Sequence, residues 1–148
     1  MKMRLRASNL LIQKLKEFEG LSLVAYKPTK AERWWTIGYG HSAGDVRQGM
    51  RITEKKAEEL LKRDLYFVEK FINGIPKVRT QGQFDALVSF TYNVGVGKLK
   101  SSTLLKKIMH DATTAEIQRE FMKWVYSGGK KLPGLVKRRE WEAKRWAE

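Results

Sequence analysis

Apolar residues recur along this chain in two rhythms. Leu11, Leu15 and Phe18 return at helical spacing. A first helix is therefore expected over 8–19, capped by Ser8 or Asn9 and ended by Gly20 in a left-handed conformation. From Leu21 to Tyr39 the rhythm shortens. Leu21, Leu23 and Ala25 alternate with polar or smaller positions, and Trp34, Trp35, Ile37 and Tyr39 are strand-favouring types. Pro28 and the polar group Thr29 to Arg33 read as the loop of a hairpin. Gly38 and Gly40 predict a strand that bends close to a ligand or another backbone. Ser42 to Met50 reads as a loop.

The helical rhythm then returns and persists. Thr53 is placed to cap a helix whose stripe is Ala57, Leu60, Leu61, Leu65, Val68, Phe71 and Ile72. Asn73-Gly74 stops it, with Pro76 just beyond. At 1.5 Å per residue such a helix is about 30 Å long, and it reads as a strut joining a small sheet lobe to a helical lobe. Thr80-Gln81-Gly82-Gln83 is a capping box. It opens a buried helix through Phe84, Leu87 and Val88 that Asn93, Gly95 and Gly97 close. Ser101 or Ser102 starts a short helix through Leu104, Leu105 and Ile108. Thr113 and Glu116 cap another, carrying Ile117, Phe121, Trp124 and Val125, which Ser127-Gly128-Gly129 breaks. Pro133 suits the first turn of a last helix that holds Leu135, Val136, Arg139, Ala143 and Trp146. The pattern predicts an α+β fold, mostly helical, in a single domain over 1–148. Its parts are a hairpin lobe over 20–50, a connecting helix over 53–72, and a helical lobe over 80–148 that includes the helix 8–19.

Composition narrows the chemistry. The chain has 148 residues, 42% of them hydrophobic and 31% charged, which suits one domain with a real core. It has no cysteine, so no disulfide framework or thiolate metal site is possible. Two histidines, His41 and His110, are too few for a His-based zinc centre without carboxylate help. No metal or organic cofactor is expected. The net charge of +14 favours encounter with a polyanion. Nucleic acid, an anionic envelope and an acidic membrane all qualify. No zinc-finger, recognition-helix or RNA-binding-sheet signature is present, so nucleic acid is not the expected partner. Leu10-Leu11-Ile12 is too short an apolar run for a signal peptide or a membrane span. The protein is expected to be made in the cytoplasm without a signal peptide, and to be a monomer.

Candidate chemistry concentrates in Glu19 to His41. The C-terminal end of a helix carries partial negative charge, which opposes ionisation of a carboxyl such as that of Glu19. A carboxyl that keeps its proton near neutral pH is what a general acid requires. Thr36, on a strand beside two glycines, can hold a water or approach a sugar hydroxyl. His41 is either a titrating base or a structural histidine bonded to an acid. Tyr26, Trp34, Trp35 and Tyr39 can stack on sugar rings or fill a core. In the C-terminal half, Lys130, Lys131, Lys137, Arg138, Arg139, Lys144 and Arg145 interleave with Trp141 and Trp146. They form either a solvated basic face or an attachment to an anionic envelope or membrane surface. Arg138 or Arg139 either reaches into a cleft or forms an internal ion pair.

The order of these pieces is more specific than any one of them. Glu19-Gly20-Leu21-x-Leu23-x-Ala25-Tyr26-Lys27 followed by Trp35-Thr36-Ile37-Gly38-Tyr39-Gly40-His41 resembles the phage-type lysozyme (endolysin) family, glycoside hydrolase family 24. The likeness continues through Gln83 to Phe90, Asn93-Val94-Gly95 and Ser102 to Leu105. It ends in Trp124-Val125-x-x-Gly128-Gly129-x-x-Leu132-Pro133-Gly134-Leu135-Val136-x-Arg138-Arg139-x-x-Glu142, although that family more often has its acid at the position of Glu140. The resemblance implies a lysozyme-like fold with its active site in a cleft between the lobes. It implies a muramidase that cleaves the bond between N-acetylmuramic acid and N-acetylglucosamine in peptidoglycan, used in bacterial lysis. It implies that Glu19 protonates the leaving oxygen and that Thr36 places the attacking water. Tyr26, Trp35, Tyr39, Asn93 and Arg139 are the implied substrate contacts. The implied partner is a peptidoglycan glycan strand, met in the periplasm after release.

One departure bears on mechanism. The family pattern has an aspartate or cysteine nine positions after the glutamate and six before the threonine. Here those counts land on Pro28 and Lys30, neither of which can act as a base. Inverting hydrolysis uses a second carboxylate roughly 6.5–9.5 Å from the first. Glu32, four residues before Thr36, is the leading substitute, and Asp45 is the alternative. The missing acid also raises a second reading, a catalytically weakened peptidoglycan-binding protein of the same fold.

Overall fold

A computed structural model describes residues 3–148. Lys2, part of the basic start, lies outside the described residues. The elements in chain order are α1 (Asn9–Glu19), β1 (Ser22–Tyr26), β2 (Thr36–Gly38), β3 (His41–Ser42), α2 (Glu54–Asn73), α3 (Gln81–Val94), α4 (Val96–Lys100), α5 (Thr103–Met109), α6 (Thr114–Phe121), β4 (Tyr126–Ser127), β5 (Lys130–Lys131) and α7 (Pro133–Trp146). The chain divides into two compact units. One is Ile12–Phe67, and the other joins the residues up to Leu11 with Val68–Glu148. The divisions fall inside α1 and α2, so each of these helices runs from one unit into the other.

The expected caps form. The Ser8 hydroxyl accepts from the Leu11 N–H at 3.1 Å, and Thr53 accepts from Lys56 at 3.1 Å. Thr80 and Gln83 make the reciprocal capping box. Ser102 and Thr113 accept from Leu105 and Glu116, opening α5 and α6. Each cap satisfies an N–H that the first helical turn leaves without a partner.

In the unit Ile12–Phe67, β1, β2 and β3 form an antiparallel sheet in that order. Tyr26 pairs with Thr36 and Ile37 with His41. The other edge of β1 is covered by the chain entering α2. Ala25 donates to the Met50 carbonyl and the Ile52 N–H donates to Leu23, both at 2.9 Å. Ala25, Ile37, Val46 and Leu60 make the small core, with Trp35, Met50 and Ile52 packed against it. A Cβ on Gly38, at φ +67°, would lie 3.3 Å from the Ala57 Cβ, so the close packing of α2 on β2 and the positive φ both favour a glycine there.

In the other unit α3 is buried along most of its length, from Gly82 and Phe84 to Thr91. Phe90 meets Phe121 and Trp124 edge-on, at ring separations of 5.6 and 5.2 Å. The segment before α1 is held by side chains. Asn73 both accepts from the Leu5 N–H and donates to the Leu5 carbonyl at 2.9 Å. Glu69 accepts from the Ala7 N–H at 2.7 Å. Asp85, fully buried, accepts from Ser8, Gln81 and Arg145.

Three expectations change. Trp124 and Val125 lie beyond α6, which ends at Phe121 in a turn closed by Trp124 N–H to the Phe121 carbonyl. Gly128-Gly129 does more than break a helix. Both residues have positive φ and form the tip of a β4–β5 hairpin, as a two-residue loop of the primed type requires. Trp146 does not interleave with an outer basic face, because it is buried against Phe121. Arg138 and Arg139 are buried as well.

Those two arginines converge on Glu142, whose side chain is fully buried. Arg138 Nε reaches Oε2 at 3.3 Å and Arg139 Nη1 reaches Oε1 at 2.8 Å. The Ser89 hydroxyl donates to Oε2 at 2.6 Å. Burial lowers the pKa of Arg139, and the neighbouring Glu142 carboxylate opposes that shift. Removing one member of a buried charge cluster strands the others. Glu142→Gln is therefore expected to lower unfolding free energy by about 3–5 kcal/mol, measured by urea denaturation. A loss under about 1 kcal/mol, the range of an exposed ion pair, would contradict this account of the cluster.

Candidate active site

Glu19 is the last residue of α1, where the helix must stop for the chain to enter β1. Gly20 makes that stop, with φ +70° and its N–H bonded to the Lys16 carbonyl at 3.0 Å. The β2–β3 turn comes to meet the acid. Gly40, at φ +84°, is placed so that a Cβ there would lie 3.3 Å from Glu19 Oε1. Any side chain at this position would press on the carboxyl, and an L-residue would in addition be strained. One turn back on α1, Lys16 sits 5.6 Å over the Tyr39 ring and bonds Glu58 of α2 at 3.0 Å. The helix end, the turn tip and the first turns of α2 are thus tied together around Glu19.

The other expected residues fall in three places. Thr36 opens β2 and is buried, paired with Tyr26 on one side and Ser42 on the other. Glu32 is exposed in the β1–β2 loop, where its N–H donates to the Thr29 carbonyl at 3.2 Å. That loop carries cations over its indoles, with Lys27 5.4 Å from the Trp35 ring and Arg33 4.4 Å from Trp34. Tyr26 is exposed and Trp35 half-buried, whereas Tyr39 is buried, with 5% of its surface exposed. As an open stacking platform Tyr39 is replaced by a packing role, its ring lying against Lys16. Arg139 is buried, with 1% of its surface exposed. Of the two roles open to it, the internal ion pair is the one formed. Its guanidinium serves the Trp124 carbonyl, Glu142 and the Asn93 carboxamide oxygen.

His41 is held between two carboxylates. Nδ1 lies 2.7 Å from Asp64 and Nε2 lies 2.9 Å from Asp45. Asp45 also reaches Arg63 at 3.5 Å. Both ring nitrogens are engaged, so His41 is the structural histidine and not a free base. Its pKa is raised, chiefly by the hydrogen bond to Asp64 and against the effect of burial. The Asp45 carboxyl is correspondingly held below its ordinary value, chiefly by His41. Asp45, the alternative second acid, thus has a carboxylate committed to two cations. Sequence reasoning did not find Asp64 or Gly40 as partners. Asp64 lies 23 residues from His41, beyond any local pattern. Gly40 left a signal in its spacing from Gly38, but nothing that named Glu19 as its neighbour.

Among the described residues, no group of three or more His, Cys, Asp or Glu side chains is gathered as a metal site. An acid at a helix end covered by a glycine turn of a small sheet, in a chain otherwise helical, defines a protein of the lysozyme type. Solved structures agree with that class. The muramidase domain of SpmX from Asticaccaulis excentricus superposes with a TM-score of 0.87 at 31% identity, covering 98% of this chain and 99% of that one. The endolysin from Escherichia coli O157:H7 phage FAHEc1 gives 0.80 at 33% identity, covering 100% and 97%. The phage lysozyme family model matches residues 16–142, and the chain belongs to that family. An endolysin of Bacillus phage B103 is 50% identical over 135 residues, covering 88% of this chain and 50% of its own length. An endolysin of Acyrthosiphon pisum secondary endosymbiont phage 1 is 42% identical, covering 86% and 88%. The chain spans about half the length of the Bacillus phage relatives it matches.

The histidine network carries a pH signature. Because the folded pKa of His41 is raised, its contribution to stability is complete below the unfolded value of about 6.5. It is lost as pH rises through the folded value. Asp64→Asn removes the largest cause. The gap in thermal midpoint between wild type and Asp64→Asn is expected to be widest near pH 6 and to narrow by pH 9. A gap independent of pH would refute the charged pairing.

Proposed function

We propose that this protein is a muramidase. It hydrolyses the glycosidic bond between N-acetylmuramic acid and N-acetylglucosamine in peptidoglycan, in the service of bacterial lysis. The observation that carries the reading is the seating of Glu19 at the end of α1 with the side-chain-free turn at Gly40 over its carboxyl. Membership of the phage lysozyme family supports it. In this reading the Glu19 carboxyl gives its proton to the leaving oxygen. Thr36 orients the attacking water. Glu32 supplies the second carboxylate, reaching in from the β1–β2 loop. Tyr26 and Trp35 meet the sugar rings. The glycan strand in the cell wall is the partner, and the net charge of +14 draws the protein to an anionic envelope. Hydrolysis by paired carboxyls needs no metal or organic cofactor.

Glu32 is exposed and Asp45 is engaged by His41 and Arg63. That favours a second reading, in which the fold binds the strand and cleaves it weakly. Release of reducing ends from purified peptidoglycan separates the two, because only the enzyme produces them.

Loss of turbidity of permeabilised Gram-negative cells is the direct assay. Glu19→Gln is expected to slow it by about 10²–10⁴-fold, the range for a general acid. Equal rates in both proteins would remove Glu19 from the chemistry. Gly40→Ala, which pushes a methyl group toward the Glu19 carboxyl, is expected to cost roughly tenfold or more in rate through misplacement. Full activity in that variant would show that the turn does not set the acid's position.

A further inference from the structure

The β4–β5 hairpin belongs to the Val68–Glu148 unit, and its tip stands clear of the rest of that unit. Residues 126–134 are exposed without a break. A Cβ on Gly128, Gly129 or Gly134 would meet no atom within 4 Å. The root, by contrast, is fixed. The Leu132 N–H donates to the carbonyl of buried Val125 at 2.9 Å. The Trp124 carbonyl accepts from buried Arg139 at 2.8 Å. The register sets Tyr126 opposite Lys131 and Ser127 opposite Lys130. Directly opposed residues share a face of the hairpin, so an aromatic ring and an ammonium stem lie side by side. Tyr126 is 62% exposed and Leu132 40%.

Charge on this segment has one sign. Between Glu120 and Glu140 the chain has six cations and no acid. Arg138 and Arg139 are engaged by Glu142, and Lys123 by Glu120 at 2.7 Å. Lys130, Lys131 and Lys137 remain, all exposed and, among the described residues, without an ion-pair partner. Lysine meets phosphate as a point charge on a flexible stem. A soluble phosphate polymer would take the charge and leave Tyr126 and Leu132 in water. A bilayer surface takes both, because amphipathic rings sit at the headgroup level and lysines are drawn to an anionic leaflet.

We propose that the β4–β5 hairpin is a docking finger for an anionic lipid surface. It approaches end-on, with Lys130 and Lys131 against lipid phosphates and Tyr126 and Leu132 seated among the headgroups. Docking of this kind uses one unit alone and needs neither Glu19 nor cleavage of a glycan.

Partition to vesicles, measured by sedimentation at physiological ionic strength, tests it. The probe is a vesicle of equal parts phosphatidylglycerol and phosphatidylcholine, with phosphatidylcholine alone as the neutral reference. Wild type is expected on the anionic vesicles and not on the neutral ones. Lys130→Gln and Lys131→Gln should each lower partition roughly fivefold, and the pair about thirtyfold. Lys144→Gln removes the same charge about 18 Å further along α7 and should leave partition within about twofold of wild type. Tyr126→Ser should weaken binding to the vesicles and leave binding to soluble polyphosphate unchanged. Equal losses from Lys131→Gln and Lys144→Gln would show that net charge alone holds the protein, and would overturn the proposal. Vesicle binding by Tyr126→Ser equal to wild type, with the lysine variants losing vesicles and polyphosphate alike, would make the occupant a phosphate polymer and refute the lipid surface. A wild type that stays off anionic vesicles would refute it outright.

Discussion

A carboxyl at the end of a helix is held in place only if something meets it there without covering it. Here the backbone of a glycine turn is one of the groups that come close to it. The β2–β3 turn brings Gly40 to Glu19 in a conformation that L side chains rarely adopt. Much of the Ile12–Phe67 unit follows from it. Gly20 ends α1 at the acid, and β1 leaves at once. Gly38 lets β2 lie against Ala57 of α2, which brings the turn to its position. His41, the residue after Gly40, is clamped by Asp64 from α2 and by Asp45, so the strand that carries the turn is tied to α2 by charge as well as by packing.

The other unit solves a different problem. It buries two arginines and a glutamate beside a hydroxyl, an arrangement that is costly unless every donor and acceptor is matched. They are matched here through Ser89, Trp124 and Asn93. A well-packed apolar cluster of the same volume would serve stability as well or better. What the charged cluster adds is direction. Guanidinium forks impose fixed angles on whatever they bond, and the chain of forks reaches the end of α3.

Helix positions were legible because caps are local. Thr53, Thr80, Ser102 and Thr113 each opened a helix where its side chain predicted. The motif order from Glu19 to Glu142 carried the family, and the fold followed from it. What escaped was short or distant. The α4 helix has five residues, with Gly95 before it and Gly97 inside it, too few for a periodic signal. The β4–β5 hairpin pairs Tyr126 and Ser127 with two lysines, all exposed, so no alternation of apolar and polar residues announced it. Only the Gly128-Gly129 pair marks it, and a glycine pair equally marks the end of a helix. Asp64, Asn93 and Glu142 depend on partners brought together by folding, and no local rule names such partners. The departure between Glu19 and Thr36 was visible at once, but which acid compensates for it is a matter of geometry in an exposed loop.

The account depends on where the Glu19 carboxyl lies relative to a bound glycan. A crystal structure of Glu19→Gln soaked with a peptidoglycan oligosaccharide is the most direct measurement. The account predicts the side-chain amide at position 19 at hydrogen-bond distance, about 3 Å, from an oxygen that bridges two sugars. A strand bound elsewhere, or bound with that oxygen turned away from position 19, would contradict it.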